Sequence, residues 1–159
     1  MKRLMYIMLI VLIMSPVKSS YAHCEIPCGI YNDKMRCDLI EEHITTIEKS
    51  MNMIIKLSDQ ETINYNQLVR WINNKEAHAN EIQHIVTQYF MTQRVKPVEV
   101  KESEAQGKYV QQLSLLHELL VYSMKAKQTT DLKHISTLKQ LIHDFRAAYF
   151  GPEEHGHTH

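Results

Sequence analysis

Residues 23–31 read His-Cys-Glu-Ile-Pro-Cys-Gly-Ile-Tyr and hold an imidazole, two thiols and a phenol within nine positions. They follow a stretch of 22 residues with three parts: Lys2 and Arg3, an apolar run from Leu4 to Met14, and an exit through Ser15, Pro16 and Ser20-Tyr21-Ala22. That order predicts a secretory signal peptide cut after Ala22, which leaves His23 with a free amine beside its ring. The apolar run is short for a membrane span, which needs about 20 residues. An uncleaved anchor is the alternative; a lipoprotein is disfavoured because His23, not a small residue, precedes Cys24.

A processed His23 offers amine and imidazole nitrogen, Cys24 and Cys28 offer thiolates, and a deprotonated Cys24 amide adds another nitrogen. Amine, amide and two thiolates can lie in one plane, which suits nickel(II) or copper(II), whereas zinc takes a tetrahedron. Thiolates and an anionic amide stabilise the higher oxidation state of the bound ion, so the donor set describes a one-electron centre. Pro27 stiffens the loop and Gly29 permits a turn that folds Cys28 back towards Cys24. The competing reading is a Cys24–Cys28 disulfide, with Cys37, the odd thiol of three, buried as a small hydrophobe.

Such a hook needs a scaffold, and the rest of the chain predicts helices. Apolar residues recur at helical spacing in four segments: Ile40, Ile44, Ile47, Met51 and Ile54; Leu68, Ile72, Ala79, Ile82 and Val86; Leu113, Leu116, Leu120 and Met124; Ile135, Leu138, Ile142, Phe145 and Tyr149. Ser58-Asp59 is placed to end the first helix and cap the second; Pro97 stops the second near Arg94. Thr129-Thr130-Asp131 parts the third from the fourth, and Gly151-Pro152 ends the last. The expected fold is all-α: an antiparallel up-down four-helix bundle over residues 32–150 carrying an N-terminal metal-binding hook, with a cleaved leader at residues 1–22 and a flexible histidine tail at residues 151–159. Eighteen basic residues balance eighteen acidic ones, and no basic stripe alternates with aromatics, so nucleic-acid binding is excluded.

The pattern His-Cys-x-x-Pro-Cys-Gly-x-Tyr at a processed N-terminus resembles the nickel-containing superoxide dismutases, and the four-helix reading agrees with that family's fold. The resemblance implies one nickel ion per subunit, superoxide disproportionated to dioxygen and hydrogen peroxide through divalent and trivalent nickel, and a homohexamer. Carried over, His23 supplies amine and axial imidazole, Cys24 its amide and thiolate, and Cys28 the second thiolate. Tyr31 stands over the open face to control access, and Tyr89 is a second aromatic neighbour. The family orients the axial imidazole with a carboxylate and an arginine. Ungapped counting puts Leu39 at the carboxylate, a one-residue shift puts Asp38 there, and Glu41 lies a turn further; Asp38 is the expectation. The cation falls among Arg70, Asn74 and Lys75, and the family's substrate-attracting lysine aligns with Met91.

His43, His78, His84, His117, His134 and His143 fall in helical segments and are expected at the surface or as caps; His78 with Glu81 lacks the Glu-x-x-His order of di-iron bundles. Tyr65, Trp71, Tyr109 and Tyr122 are expected as core or interface packing, and His155, His157 and His159 as a disordered tail that binds metal weakly if at all, a nickel-collecting tail being the alternative. Export to the periplasm or exterior, a leader-cleaving peptidase, and no membrane attachment after cleavage complete the expectation. The rival function is an exported nickel- or copper-binding bundle without turnover. A thiol-disulfide protein is a third reading, with no βαβ pattern around the cysteines to support it.

Overall fold

The computed structural model describes residues 27–98 and 103–151. His23, Cys24, the leader and the histidine tail therefore lie outside the described residues. Four helices follow: α1 Asp33–Ser58, α2 Tyr65–His84, α3 Ser103–Gln128 and α4 Lys133–Phe150, with α2 running on into a π-helical stretch, Ile85–Arg94. Among the described residues none of the helices is long and apolar enough to cross a membrane.

Side-chain caps set two of the starts. Asn32 Oδ1 accepts from the Met35 amide and Asn64 Oδ1 from the Gln67 amide, each at 3.1 Å, satisfying a donor that the first turn leaves open. Asp59 does close α1, but α2 begins six residues later at Tyr65 and is capped by Asn64, so Asp59 does not cap it. Asp131 Oδ1 accepts from the Lys133 amide at 3.0 Å at the entry to α4, and Gly151, at φ 91°, ends it. Arg94 closes the second helix as expected.

Each helix packs on two neighbours, in the cycle α1, α2, α3, α4. Cross-helix partners run in opposite numerical order, which fixes antiparallel packing throughout: Asn74 meets Ser50 while His78 meets His43; Lys75 meets Lys127 while Gln83 meets Leu120; Lys139 meets Glu48 while Arg146 meets Asp38. The α1 stripe is buried as expected, with Ile40, Ile44, Ile47 and Met51 facing Ile82, Val86, Leu138 and Ile142 in one core. Two stripes need correcting. On α2 the core begins only at Ala79, and Ile72 is exposed. On α3 the buried seam is Gln112, Leu116, Leu119, Ser123 and Ala126, whereas Met124 faces out. Leu113 and Leu120 flank this seam, partly buried against the core, and Gln112 is admitted because its amide donates to the Ala148 carbonyl at 3.0 Å. Cys37 is fully buried in this core, as expected, and burial pushes its thiol up to about 12.

Candidate metal centre

The described part of the hook is a turn. The Ile30 amide donates to the Pro27 carbonyl at 2.8 Å, and Gly29 sits third of the four residues at φ 80°. This is the type II geometry that needs positive φ at that position, which glycine takes without penalty. A β-carbon on Gly29 would meet nothing within 4 Å, so the requirement is conformational and not steric. Cys28 occupies the exposed corner, where its sulfur can face a ligand, and Ile30 beside it is 84 % exposed.

Immediately after the turn the chain is pinned down. The Asn32 amide donates to Tyr89 Oη at 2.9 Å, and Tyr89 Oη donates to Asp33 Oδ1 at 2.6 Å. Arg94 grips the same carboxylate from both sides, Nε to Oδ1 at 2.8 Å and Nη2 to Oδ2 at 2.7 Å, and Tyr149 of α4 donates to Oδ2 at 2.8 Å. Asp33 thus ties the foot of the hook to two other helices. Burial alone would raise its pKa, but the hydrogen bonds from Arg94, Tyr89 and Tyr149, with the Arg94 charge, hold it below the ordinary carboxylate value. Burial and the bond to Asp33 push Tyr89 and Tyr149 each up to about 12. Arg94, bonded to Asp33, is held more firmly protonated still.

The π-helical stretch explains how Tyr89 and Arg94 reach one carboxylate. Five residues apart on an α-helix, they would point about 140° away from each other. Here the backbone bonds five residues back, as in Val95 N–H to the Phe90 carbonyl at 2.8 Å, and Thr92 and Gln93 side chains donate to carbonyls five residues earlier. Residues five apart then stack on one face, and such π turns recur at functional sites. Tyr31 rests in the result: its ring meets the Tyr89 ring edge-on at 5.9 Å between centroids, and the Arg94 guanidinium lies 4.3 Å from its centroid. Tyr31 remains 40 % exposed.

Beside Pro27 a cavity of about 250 Å³ is lined by Arg36, His84, Ile85, Gln88 and Tyr89. Arg36 packs its guanidinium 5.1 Å from the Tyr89 ring centroid, and its shielded Nε has no hydrogen-bond partner among the described residues. Arg36 therefore brings a guanidinium to the space beside Pro27.

The donor chemistry and the turn fit nickel: a thiolate at an exposed corner, a glycine that allows the corner, and His23 and Cys24 just ahead of it in sequence. The chain matches the nickel-containing superoxide dismutase family over residues 18–152, most of its length and all of the hook. It belongs to that family. No curated protein and no solved structure matches it. As a nickel-containing superoxide dismutase it is an oxidoreductase acting on superoxide, with nickel as its metal.

Of the residues read from the sequence, the structure of this dismutase brings Tyr31 and Tyr89 together beside the Cys28 turn. It does not bring Asp38 to them. Asp38 is exposed and paired with Arg146 at 2.6 Å, with Glu41 at 3.3 Å from the same guanidinium, and Leu39 packs on the core. Asp38 stands five residues beyond Asp33 on α1, roughly 140° round the helix, which turns it towards α4 and away from Tyr89. The three positions aligned with the cation, Arg70, Asn74 and Lys75, also lie elsewhere. Arg70 and Asn74 line a surface groove with Trp71 and Lys49, and Lys75 caps the end of α3 through the Lys127 and Thr129 carbonyls. Met91 is half-buried against the core. The carboxylate and guanidinium that do stand at Tyr31 are Asp33 and Arg94. Sequence reasoning saw Arg94 only as a helix end and did not single out Asp33. Their signal was position: one directly follows the hook, the other lies five residues beyond Tyr89, a spacing that counts as one turn only in a π-helix.

Proposed function

We propose that this chain dismutates superoxide at its processed N-terminus, with His23, Cys24 and Cys28 holding nickel once residues 1–22 are released. Nickel bound there supplies a one-electron couple between its divalent and trivalent states, by which two superoxide ions and two protons give dioxygen and hydrogen peroxide. The observation that carries this reading is the family match, which begins ahead of His23 and runs through the whole hook.

The chain's own groups divide the remaining work. Tyr89 keeps its phenolic proton on Asp33, so its part is to set the position of Tyr31 and not to give protons away. Tyr31, exposed and unencumbered by that carboxylate, stands at the approach to the hook and controls what reaches it. Arg36, which pairs with no carboxylate among the described residues, supplies the positive charge that draws a small anion in; Arg94 contributes less because Asp33 neutralises it. Water in that cavity is a source of the two protons.

Assembly as a homohexamer and export are parts of the same proposal. Tyr65, Val69 and Ile72 form an exposed apolar stripe on α2 at helical spacing, and Ile30 and Met35 are exposed by the hook; such faces suit subunit contacts. Intact mass and N-terminal sequencing test the first step, and a mature chain starting anywhere but His23 removes the proposed ligand set. Superoxide decay with nickel-loaded protein and with Cys28→Ser tests turnover; equal rates would leave a metal-binding bundle without catalysis.

A further inference from the structure

About ten residues along α1 from Asp33, two histidines meet across the seam between α1 and α2. His43 Nδ1 and His78 Nδ1 face each other at 2.8 Å, with ring centroids 5.0 Å apart and planes at 55°. Both side chains are half-buried, not at the surface or in caps as their sequence positions suggested. At this distance one ring donates and the other accepts, so the neutral pair shares a single proton. Burial, and then the charge of His78, lower the His43 pKa; the carboxylates of Glu81 and Glu42 oppose this. The Nδ1 atoms of the two rings face one spot, and Glu81 and Glu42 bring negative charge near His43. Glu81 lies three residues beyond His78, on the same face of α2.

We propose that His43 and His78 form a second divalent-metal site, distinct from the hook, that takes a zinc-class ion between their Nδ1 atoms and ties α1 to α2. Zinc bonds imidazole nitrogen at about 2.0–2.1 Å, so two such nitrogens on a tetrahedral ion stand roughly 3.3–3.4 Å apart. The rings need to part by only about half an ångström from their present separation, a shift that small χ rotations provide. The metal takes the place of the shared proton, which passes through solvent to the Nε2 of its own ring, so both imidazoles remain neutral ligands. Among the described residues no group of three or more His, Cys, Asp or Glu that could hold a metal gathers, so water fills the remaining positions. A rise of 1.5 Å per residue puts the pair about 15 Å along α1 from Asp33, away from the Cys28 turn. This site rests on His43 and His78 alone and stands whether or not the hook turns over superoxide.

The test uses the full chain with its accessible thiols alkylated, so that the hook cannot compete through sulfur. Zinc is titrated calorimetrically at neutral pH into the wild type and into His78→Gln. The expected result is one zinc equivalent fewer in the variant; ions held by the tail histidines or by His23 cancel in the difference. Nitrogen NMR of the histidine rings in the wild type gives an independent reading, with His43 and His78 Nδ1 resonances moving together as zinc is added. Equal stoichiometry in the two proteins, or ring resonances of His43 and His78 that stay fixed while zinc binds, overturns the site and leaves a proton-sharing pair.

Discussion

Replacing Asp33 by asparagine keeps the shape of the side chain and removes the charge on which the foot of the hook depends. Four hydrogen bonds converge on the carboxylate, two from Arg94 and one each from Tyr89 and Tyr149. The Arg94 and Asp33 side chains are 27 % and 15 % exposed. Fully exposed ion pairs contribute about 0–1 kcal/mol, and breaking a buried pair costs about 3–5. A bidentate pair at this intermediate burial, discounted for solvent screening, is worth about 2 kcal/mol. The asparagine oxygen still accepts from one tyrosine, so the second tyrosine bond adds about 1 kcal/mol. Asp33→Asn is therefore expected to destabilise the nickel-free protein by about 2–3 kcal/mol in urea, followed by circular dichroism at neutral pH and one chain concentration. A double-mutant cycle with Arg94→Gln isolates the pair and should return a coupling of at least about 1 kcal/mol. The pKa of Asp33 is depressed on folding, so its contribution is complete above the unfolded value near 4 and is lost as pH falls below that value and through the lower folded one. Wild type and variant should therefore converge only in that acid window. A cost under about 0.5 kcal/mol, or strictly additive single changes, refutes the reasoning.

Tyr89→Phe removes the bond to Asp33 and the acceptor of the Asn32 amide; a loss of about 1–2 kcal/mol in urea unfolding is expected, with superoxide turnover falling at unchanged nickel content. Lys75→Met leaves the Lys127 and Thr129 carbonyls without their buried donor, and should cost about 1–3 kcal/mol in the same assay while sparing turnover. Gly29→Ala meets no clash but forces a β-carbon into positive φ, at about 1–2 kcal/mol, so nickel affinity should drop roughly tenfold by competition with a chelator. Iodoacetamide on the folded, metal-free chain should modify Cys28, which is exposed, and spare Cys37 until denaturant is added; peptide mass mapping distinguishes the two.

Much of the scaffold was legible in residue spacing. The Ile40 to Ile54 stripe is buried because a regular period places those residues on one face whatever the partner, and the ends at Ser58 and Arg94 follow from local residue chemistry. The stripes on α2 and α3 were less legible. Leu68 and Ile72 satisfy the helical period as well as Ala79 and Ile82 do, yet only the latter meet α1 in the core, because burial depends on where neighbouring helices lie. The cap expected of Asp59 failed similarly: five residues of connection separate it from Tyr65, and Asn64 was nearer.

The sequence by itself carried the pattern that points to nickel: His23, Cys24, Cys28 and Tyr31 within nine residues, with a glycine where the turn needs positive φ. These are local matters, settled by the chemistry of consecutive residues. Tertiary structure alone decided which charges surround the site. Asp38, close to the hook along the chain, is turned by helical rotation to Arg146, while Arg94, 61 residues from Asp33, closes on that carboxylate because a π-helical turn aligns it with Tyr89. The same holds for His43 and His78, unremarkable 35 residues apart in sequence and in contact once α1 and α2 pack. Pair interactions of a few ångströms depend on helix phase and packing, and neither is written in any short window of the chain.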